Sequence, residues 1–294
     1  MVGPDARRGT DIASQAGLCL TSYDFDVVGV TPADQLPDWV TLVRAPNPGP
    51  MTLDGTNTWV LRAPGEEYAA VVDPGPLDDD HLRRIAAHGP VQFILVTHGH
   101  ADHVEGAARL SELLGGAAVL AADPAHTIGG DTLDPDEALG GSGLEIRVVD
   151  TPGHTRDSVC FLVECGTARV MLTGDTILGR GTTVVAWPDG DLGAYLASLE
   201  RLTAYRNVPV LPGHGPALTD CAAVAREYQD HRRERLDQIR AAVAAGATTP
   251  EAVVDAVYPD IDPGVRFAAE WSTRAQLDYL RRESQPGSWQ LDPL

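Results

Sequence analysis

The chain has 294 residues, 43% hydrophobic and 22% charged, which supports a buried core and argues against a largely disordered polypeptide. Its 22 basic residues, all arginine, face 42 acidic ones for a formal charge of −20, so a polyanion or an anionic membrane is repelled at long range except where basic groups cluster. Four cysteines without CxxC spacing (Cys19, Cys160, Cys165, Cys221) indicate neither a zinc ribbon nor a disulfide framework, and no apolar run approaches the ~20 residues of a membrane helix.

Residues 1–37 are rich in Gly, Pro and Asp and read as an irregular N-terminal extension. The stretch after Arg7 and Arg8 is too polar for the core of an export signal, so a soluble, cytoplasmic protein is expected. From residue 38 short β-type runs alternate with helical stretches. The runs around 39–45, 56–63, 68–75, 91–98, 117–123, 144–154, 159–164, 168–175 and 208–215 end in Gly, Pro or Asp and read as strands. Between them, 78–89, 105–116 and 192–205 carry apolar residues three and four apart, the helical period. Interleaved strands and helices predict an α/β layered domain over 38–218. The β signal disappears beyond 219, and three helices are expected in a C-terminal unit over 219–294, the second opened by Thr249-Pro250-Glu251.

Four of the strand-like runs deliver residues of metal-ligand type at their ends. The run FILVT is followed by His98, His100, Asp102 and His103; IRVVDTPG by His154; ARVMLTG by Asp175; VPVLPG by His214. Rigid strands fix such ligands, and adjacent glycines let the backbone turn. Imidazole and carboxylate without thiolate suit zinc, and also iron or manganese. His81, His88, His126 and His231 stand alone and read as surface or satisfied core residues.

HxHxDH followed by separated His, Asp and His resembles the metallo-β-lactamase superfamily over about residues 40–216. The strings NPGPMTLDGTNTWVL (47–61) and TGDTILGRGTT (173–183), with the helical tail, are similar to its beta-lactamase-like protein 2 branch. The resemblance implies an αββα sandwich with a small, winged-helix-like C-terminal unit. It implies two zinc ions, with iron or manganese as alternatives: His98, His100 and His154 on the first, Asp102, His103 and His214 on the second, Asp175 bridging both. A hydroxide shared by the ions would attack a carbonyl or phosphoryl centre, with Asp102 orienting it. Asp73, in VVDPG, matches the superfamily's first motif and is expected to steady a ligand or the hydroxide network; its alternative is a plain turn carboxylate.

Asn57 and Thr58 could line the substrate side, although GTNT also suits a strand-entry turn. Arg180, with Thr182 and Thr183, follows Asp175 closely enough to bind a phosphate or carboxylate, or simply to pack the loop. Arg232, Arg233 and Arg235 alternate with Asp230, Glu234 and Asp237, the pattern of a solvated helix face laced by ion pairs. The branch usually places Gly-Gly after HxHxDH, where this chain has Glu105 before Gly106; a carboxylate there could intrude on substrate space.

The leading expectation is a dinuclear zinc hydrolase acting on a small ester or thioester, or on a phosphodiester. Within the branch, cleavage of single-stranded RNA is the alternative. Charge argues against RNA: residues 219–294 hold nine Arg against thirteen Asp and Glu, and only 5% of the chain is aromatic. The spacings from His154 to Asp175 and on to His214 also leave no room for the inserted domain of RNA-processing members. Asp175 stands where thiolate-using β-lactamases carry cysteine, which argues against β-lactam turnover. An iron persulfide dioxygenase, and a non-catalytic metal protein that recruits a partner through its helices, are the remaining alternatives. A homodimer through those helices is compatible with the sequence.

Overall fold

A computed structural model describes residues 29–32 and 35–283. The expected extension therefore lies mostly outside the described residues; of it, residues 29–31 pair with 217–219 through the Val30–Leu218 bridge.

Two five-stranded sheets pack face to face. The first contains β1 (Val40–Arg44), β2 (Asn57–Leu61), β3 (Ala69–Val72), β4 (Val91–Leu95) and β5 (Ala118–Leu120), in that order. The second runs β10-β9-β8-β7-β6, from β6 (Ala138–Gly141), β7 (Leu144–Asp150), β8 (Val159–Cys165), β9 (Ala168–Gly174) and β10 (Val210–Pro212). Nine of these strands coincide with the expected runs. β6 was not expected: its Ala-Leu-Gly-Gly has little β propensity and is held by antiparallel pairing to β7.

Alternation along the strands divides the core into layers. Trp59, Leu61, Val72 and Leu95 of the first sheet meet Ile146, Val148, Phe161 and Leu172 of the second. The opposite faces are covered by helices. Val60, Val71 and Ile94 pack under α1 (Asp79–Ala86) and α3 (Ala107–Leu113), which follows a single turn, α2 (Ala101–Val104). Cys160, Leu162, Met171 and Val210 pack under α4 (Leu192–Leu202), α5 (Cys221–Ala244) and α7 (Arg266–Glu283). The result is the expected αββα sandwich. α6 (Pro250–Val257) begins as its sequence predicts: Thr249 caps it by accepting from the Ala252 N–H at 3.2 Å, with proline in the first turn. The regular elements of the C-terminal unit's described residues are all helices, joined by short turns, and among the described residues no helix is long and apolar enough to cross a membrane.

Strand direction brings the motif residues to one edge. β3 and β4 run parallel, β9 and β10 run parallel, and β7 is antiparallel to β8, which is antiparallel to β9. The C-terminal ends of β3, β4, β7, β9 and β10 therefore emerge together, and antiparallel β2 contributes its start there. Residues 73, 97–103, 151–154, 175 and 213–214 all follow those strand ends.

His81, expected as a surface or satisfied core residue, is buried in α1 with Nε2 3.1 Å from the Thr58 hydroxyl. Burial, and then the charge of Arg84, lowers its pKa from 6.5 to about 4. The folded state thus binds fewer protons than the unfolded chain between these values, and stability falls as pH drops from about 6.5 to about 4. In metal-stripped protein, urea unfolding of His81→Gln is expected to lose less midpoint between pH 7 and pH 5 than the wild type; equal losses would count against this assignment.

Candidate metal centre

The edge gathers two groups of three donors. His98, His100 and His154 form one; Asp102, His103 and His214 form the other. In the first, His98 Nε2 and His154 Nε2 lie 3.0 and 3.1 Å from His100 Nδ1. In the second, His214 Nε2 is 3.2 Å from His103 Nε2 and 3.1 Å from Asp102 Oδ2. Asp175 stands between them, with Oδ1 3.4 Å from His103 and Oδ2 3.4 Å from His214 and 3.8 Å from His154.

Hydrogen bonds behind the rings determine which nitrogens face inward. His103 donates through Nδ1 to Asp73 Oδ2 at 2.8 Å, and His154 through Nδ1 to the Val184 carbonyl at 2.8 Å. His98 Nδ1 meets the Thr97 hydroxyl at 3.0 Å, and that hydroxyl donates to Asp73 at 2.8 Å. His214 Nδ1 lies 3.4 Å from the Gly55 carbonyl. With the outer nitrogens so engaged, each of these rings in its neutral form turns an Nε2 lone pair inward. Zinc–nitrogen bonds of about 2.0–2.1 Å at a tetrahedral angle hold neighbouring ligands about 3.3–3.4 Å apart, close to the separations here. Asp175 Oδ1 is moreover buried without a hydrogen-bond partner among the described residues, a cost that a cation relieves. The donor set fits metal binding.

The electrostatics of the cluster agree. Burial, then the neighbouring rings of His103 and His154, pushes His98 well below the usual imidazole range. Burial likewise lowers His154 to about 4. Burial opposes charge on His103 and His214 too, but there Asp175 outweighs it, aided by Asp73 for the first and Asp102 for the second; His103 rises well above the ordinary value and His214 to about 9. Burial raises Asp175, yet the charges of His214 and His103 hold it well below the ordinary carboxylate value. The carboxylates draw positive charge into a buried space.

Asp73 does not reach the cleft. Its carboxylate accepts the Thr97 N–H and hydroxyl and the His103 ring, each at 2.8 Å, from a backbone with φ of 52°. It ties the ends of β3 and β4 together and orients His103. Two glycines leave no room for a side chain: a Cβ on Gly174 (φ 47°) would lie 2.4 Å from Thr97 Oγ1, and one on Gly213 2.6 Å from Asp175 Oδ1.

The proposed substrate residues separate. Asn57 and Thr58 are fully buried, contrary to a place on the substrate side. Asn57 Nδ2 donates to the carbonyls of Pro212 and Gly215 at 3.0 and 2.8 Å, fixing the loop of His214. Their neighbour Thr56, not anticipated, donates its hydroxyl to Asp102 Oδ2 at 3.5 Å. Arg180, Thr182 and Thr183 do line a cleft that reaches His154 and Asp175. Arg180, however, is clasped by Asp54 at 2.7 and 2.9 Å, so its charge is already paired. Glu105 turns away and accepts the Leu77 N–H at 3.3 Å. The arginine run is not a solvated face either: Arg233 is exposed and pairs with Asp230, but Arg232 and Arg235 are buried and lie over the rings of Tyr195 and Tyr258.

Removing the carboxylate that orients His103 is expected to weaken metal binding without removing a donor. Asp73→Asn should lower zinc affinity about 10–100-fold in chelator competition, and Gly213→Ala should lower it by crowding Asp175. Wild-type affinity in both variants would contradict the geometry above.

Comparison with known proteins agrees with this geometry. Residues 51–214 match the family model described as the metallo-beta-lactamase superfamily. The chain is 30% identical to a beta-lactamase-like protein 2 homolog of Caenorhabditis elegans, over 86% of this chain and 88% of that one. It is 31% identical to an atrochrysone carboxyl ACP thioesterase of Aspergillus chevalieri, over 82% and 78% of the two chains. The crystal structure of a metallo-beta-lactamase family protein from Thermus thermophilus superimposes with a TM-score of 0.69 at 25% identity, covering 84% of this chain and 95% of that one. With its two sheets, its helical flanks and its gathered histidines and aspartates, the chain belongs to the metallo-beta-lactamase superfamily and is a metal-dependent hydrolase.

Proposed function

We propose that the protein is a dinuclear zinc hydrolase of acyl thioesters or esters. The observation that carries this reading is the juxtaposition of two three-donor clusters, with Asp175 between them, and a mainly apolar cleft. In this reading His98, His100 and His154 hold one ion, Asp102, His103 and His214 the other, and Asp175 both. Zinc suits these donors, and iron or manganese accept the same set. When bound, the ions supply Lewis acidity toward a carbonyl oxygen and lower the pKa of water toward about 7.

The chain's own groups supply orientation and proton handling. Asp102 keeps 29% of its side chain exposed, and its Oδ2 faces His214 and Thr56. Burial raises its pKa, but the His214 hydrogen bond and the charge of His103 outweigh this and hold it below the ordinary value. It is therefore ionised at neutral pH, and in this reading its carboxylate orients an attacking water. Asp73 acts one step behind, through His103.

The cleft favours an acyl group over a phosphodiester. Met51, Leu53, Leu178, Val265 and Ala268 form apolar walls beside His154 and Asp175. Among the described residues Arg180 is the one arginine in the lining, and Asp54 neutralises it, whereas a phosphodiester calls for unpaired cations. Relatives named as ACP thioesterases support the same substrate class.

The test is release of free thiol from short acyl thioesters by zinc-loaded protein. Turnover is expected to vanish on chelation, to return with zinc, and to fall about 100-fold or more in His100→Ala. Intact thioesters and esters at full zinc occupancy would overturn the substrate assignment.

A further inference from the structure

The loop between Asp175 and Val184 forms one wall of the cleft, and the helices behind it hold it by its carbonyls. Thr183 donates its hydroxyl to the Asp175 carbonyl at 2.7 Å. The next residue, Val184, supplies the carbonyl that accepts His154 Nδ1 at 2.8 Å. Residues 183 and 184 thus secure, in adjacent positions, the backbone of one proposed ligand and the ring of another.

α5 grips this segment from outside the sandwich. Arg232 Nη2 donates to the Thr183 carbonyl. One turn earlier, the Tyr228 hydroxyl accepts the Leu178 N–H at 2.9 Å and donates to the Gly181 carbonyl at 3.0 Å. Tyr195 of α4 donates to the Thr176 carbonyl at 2.7 Å, and the Arg232 guanidinium lies 5.2 Å from the centre of its ring. Arg232 is only 3% exposed, and its Nε has no hydrogen-bond partner among the described residues. Burying a guanidinium is costly, and an apolar side chain of similar volume packs a helix at lower desolvation cost. Packing therefore does not account for an arginine here, whereas a charge-assisted bond to one fixed carbonyl does.

We infer that Arg232, supported by Tyr228, is a positioning residue of the metal centre: through Thr183 it fixes the Asp175 backbone and the carbonyl that orients His154. The C-terminal helices are then part of the site and not an appended unit. This rests on the reading of Asp175 and His154 as metal ligands.

The test is zinc affinity of the full chain by chelator competition, measured below each variant's melting transition. Arg232→Met is expected to lose about tenfold or more. Arg232→Lys, which keeps the charge but not the planar fork, should recover part of that loss, and Tyr228→Phe should show a smaller loss. Leu236→Ala, a buried core truncation on the same helix, separates general destabilisation from positioning: it should lower the melting temperature and leave zinc affinity within about twofold. Wild-type affinity in Arg232→Met, or an equal loss in Leu236→Ala, would overturn the inference. If Arg232→Met does not fold, Tyr228→Phe decides it, a measurable loss supporting it and wild-type affinity overturning it. A wild-type chain that binds no zinc would instead overturn the ligand assignment beneath it.

Discussion

Five imidazoles and two carboxylates face one another across gaps of 3.0–3.8 Å, and much of the fold serves to hold donors that repel when neutral or anionic. Lone pairs at such distances separate unless a cation sits among them or the scaffold prevents it. Here the scaffold acts first. The rings are attached directly beyond strand ends, and four of them are engaged from behind by an acceptor: Asp73, Thr97, the Val184 carbonyl and the Gly55 carbonyl. Metal binding to a site so preorganised spends little on ordering its ligands.

The two sheets contribute unequally. The first supplies Asp73 and the closely spaced His98–His103 segment from the parallel pair β3 and β4. The second supplies His154, Asp175 and His214 from three strands running in one direction. Each half holds an incomplete set, so the centre exists only where the sheets pack, and the interface of Phe161, Leu172, Leu95 and Val72 sets the spacing of the ligands. Close packing transmits small displacements, which links this inter-sheet core, and not the apolar packing of the helix layer outside it, to the metal centre.

Much of this was legible in the chain because the informative residues lie close together or at strand ends. HxHxDH places four polar donors in six positions, a density a solvated loop does not need, and His154, Asp175 and His214 each follow an apolar run. Other parts were illegible for identifiable reasons. β6 is built from Ala, Leu and Gly and exists through its partner strand. In GTNT the sequence pointed to Asn57 and Thr58, whereas the strand start buries both and turns Thr56 toward Asp102. Arg180 reads as an anion binder until Asp54, 126 residues away, is seen to clasp it. Arg232 and Arg235 sit in a run of alternating charges that signals a solvent face, and only tertiary packing against Tyr195 and Tyr258 reveals them as buried.

The most direct measurement is the stoichiometry of zinc binding to the full chain at neutral pH, by titration of metal-stripped protein with elemental analysis. Two equivalents per chain, with tight binding of both lost together in Asp175→Ala, is the expected result, because that carboxylate lies between the two donor groups. A single equivalent in folded wild-type protein, or two equivalents unaffected by Asp175→Ala, would contradict a dinuclear centre built around Asp175.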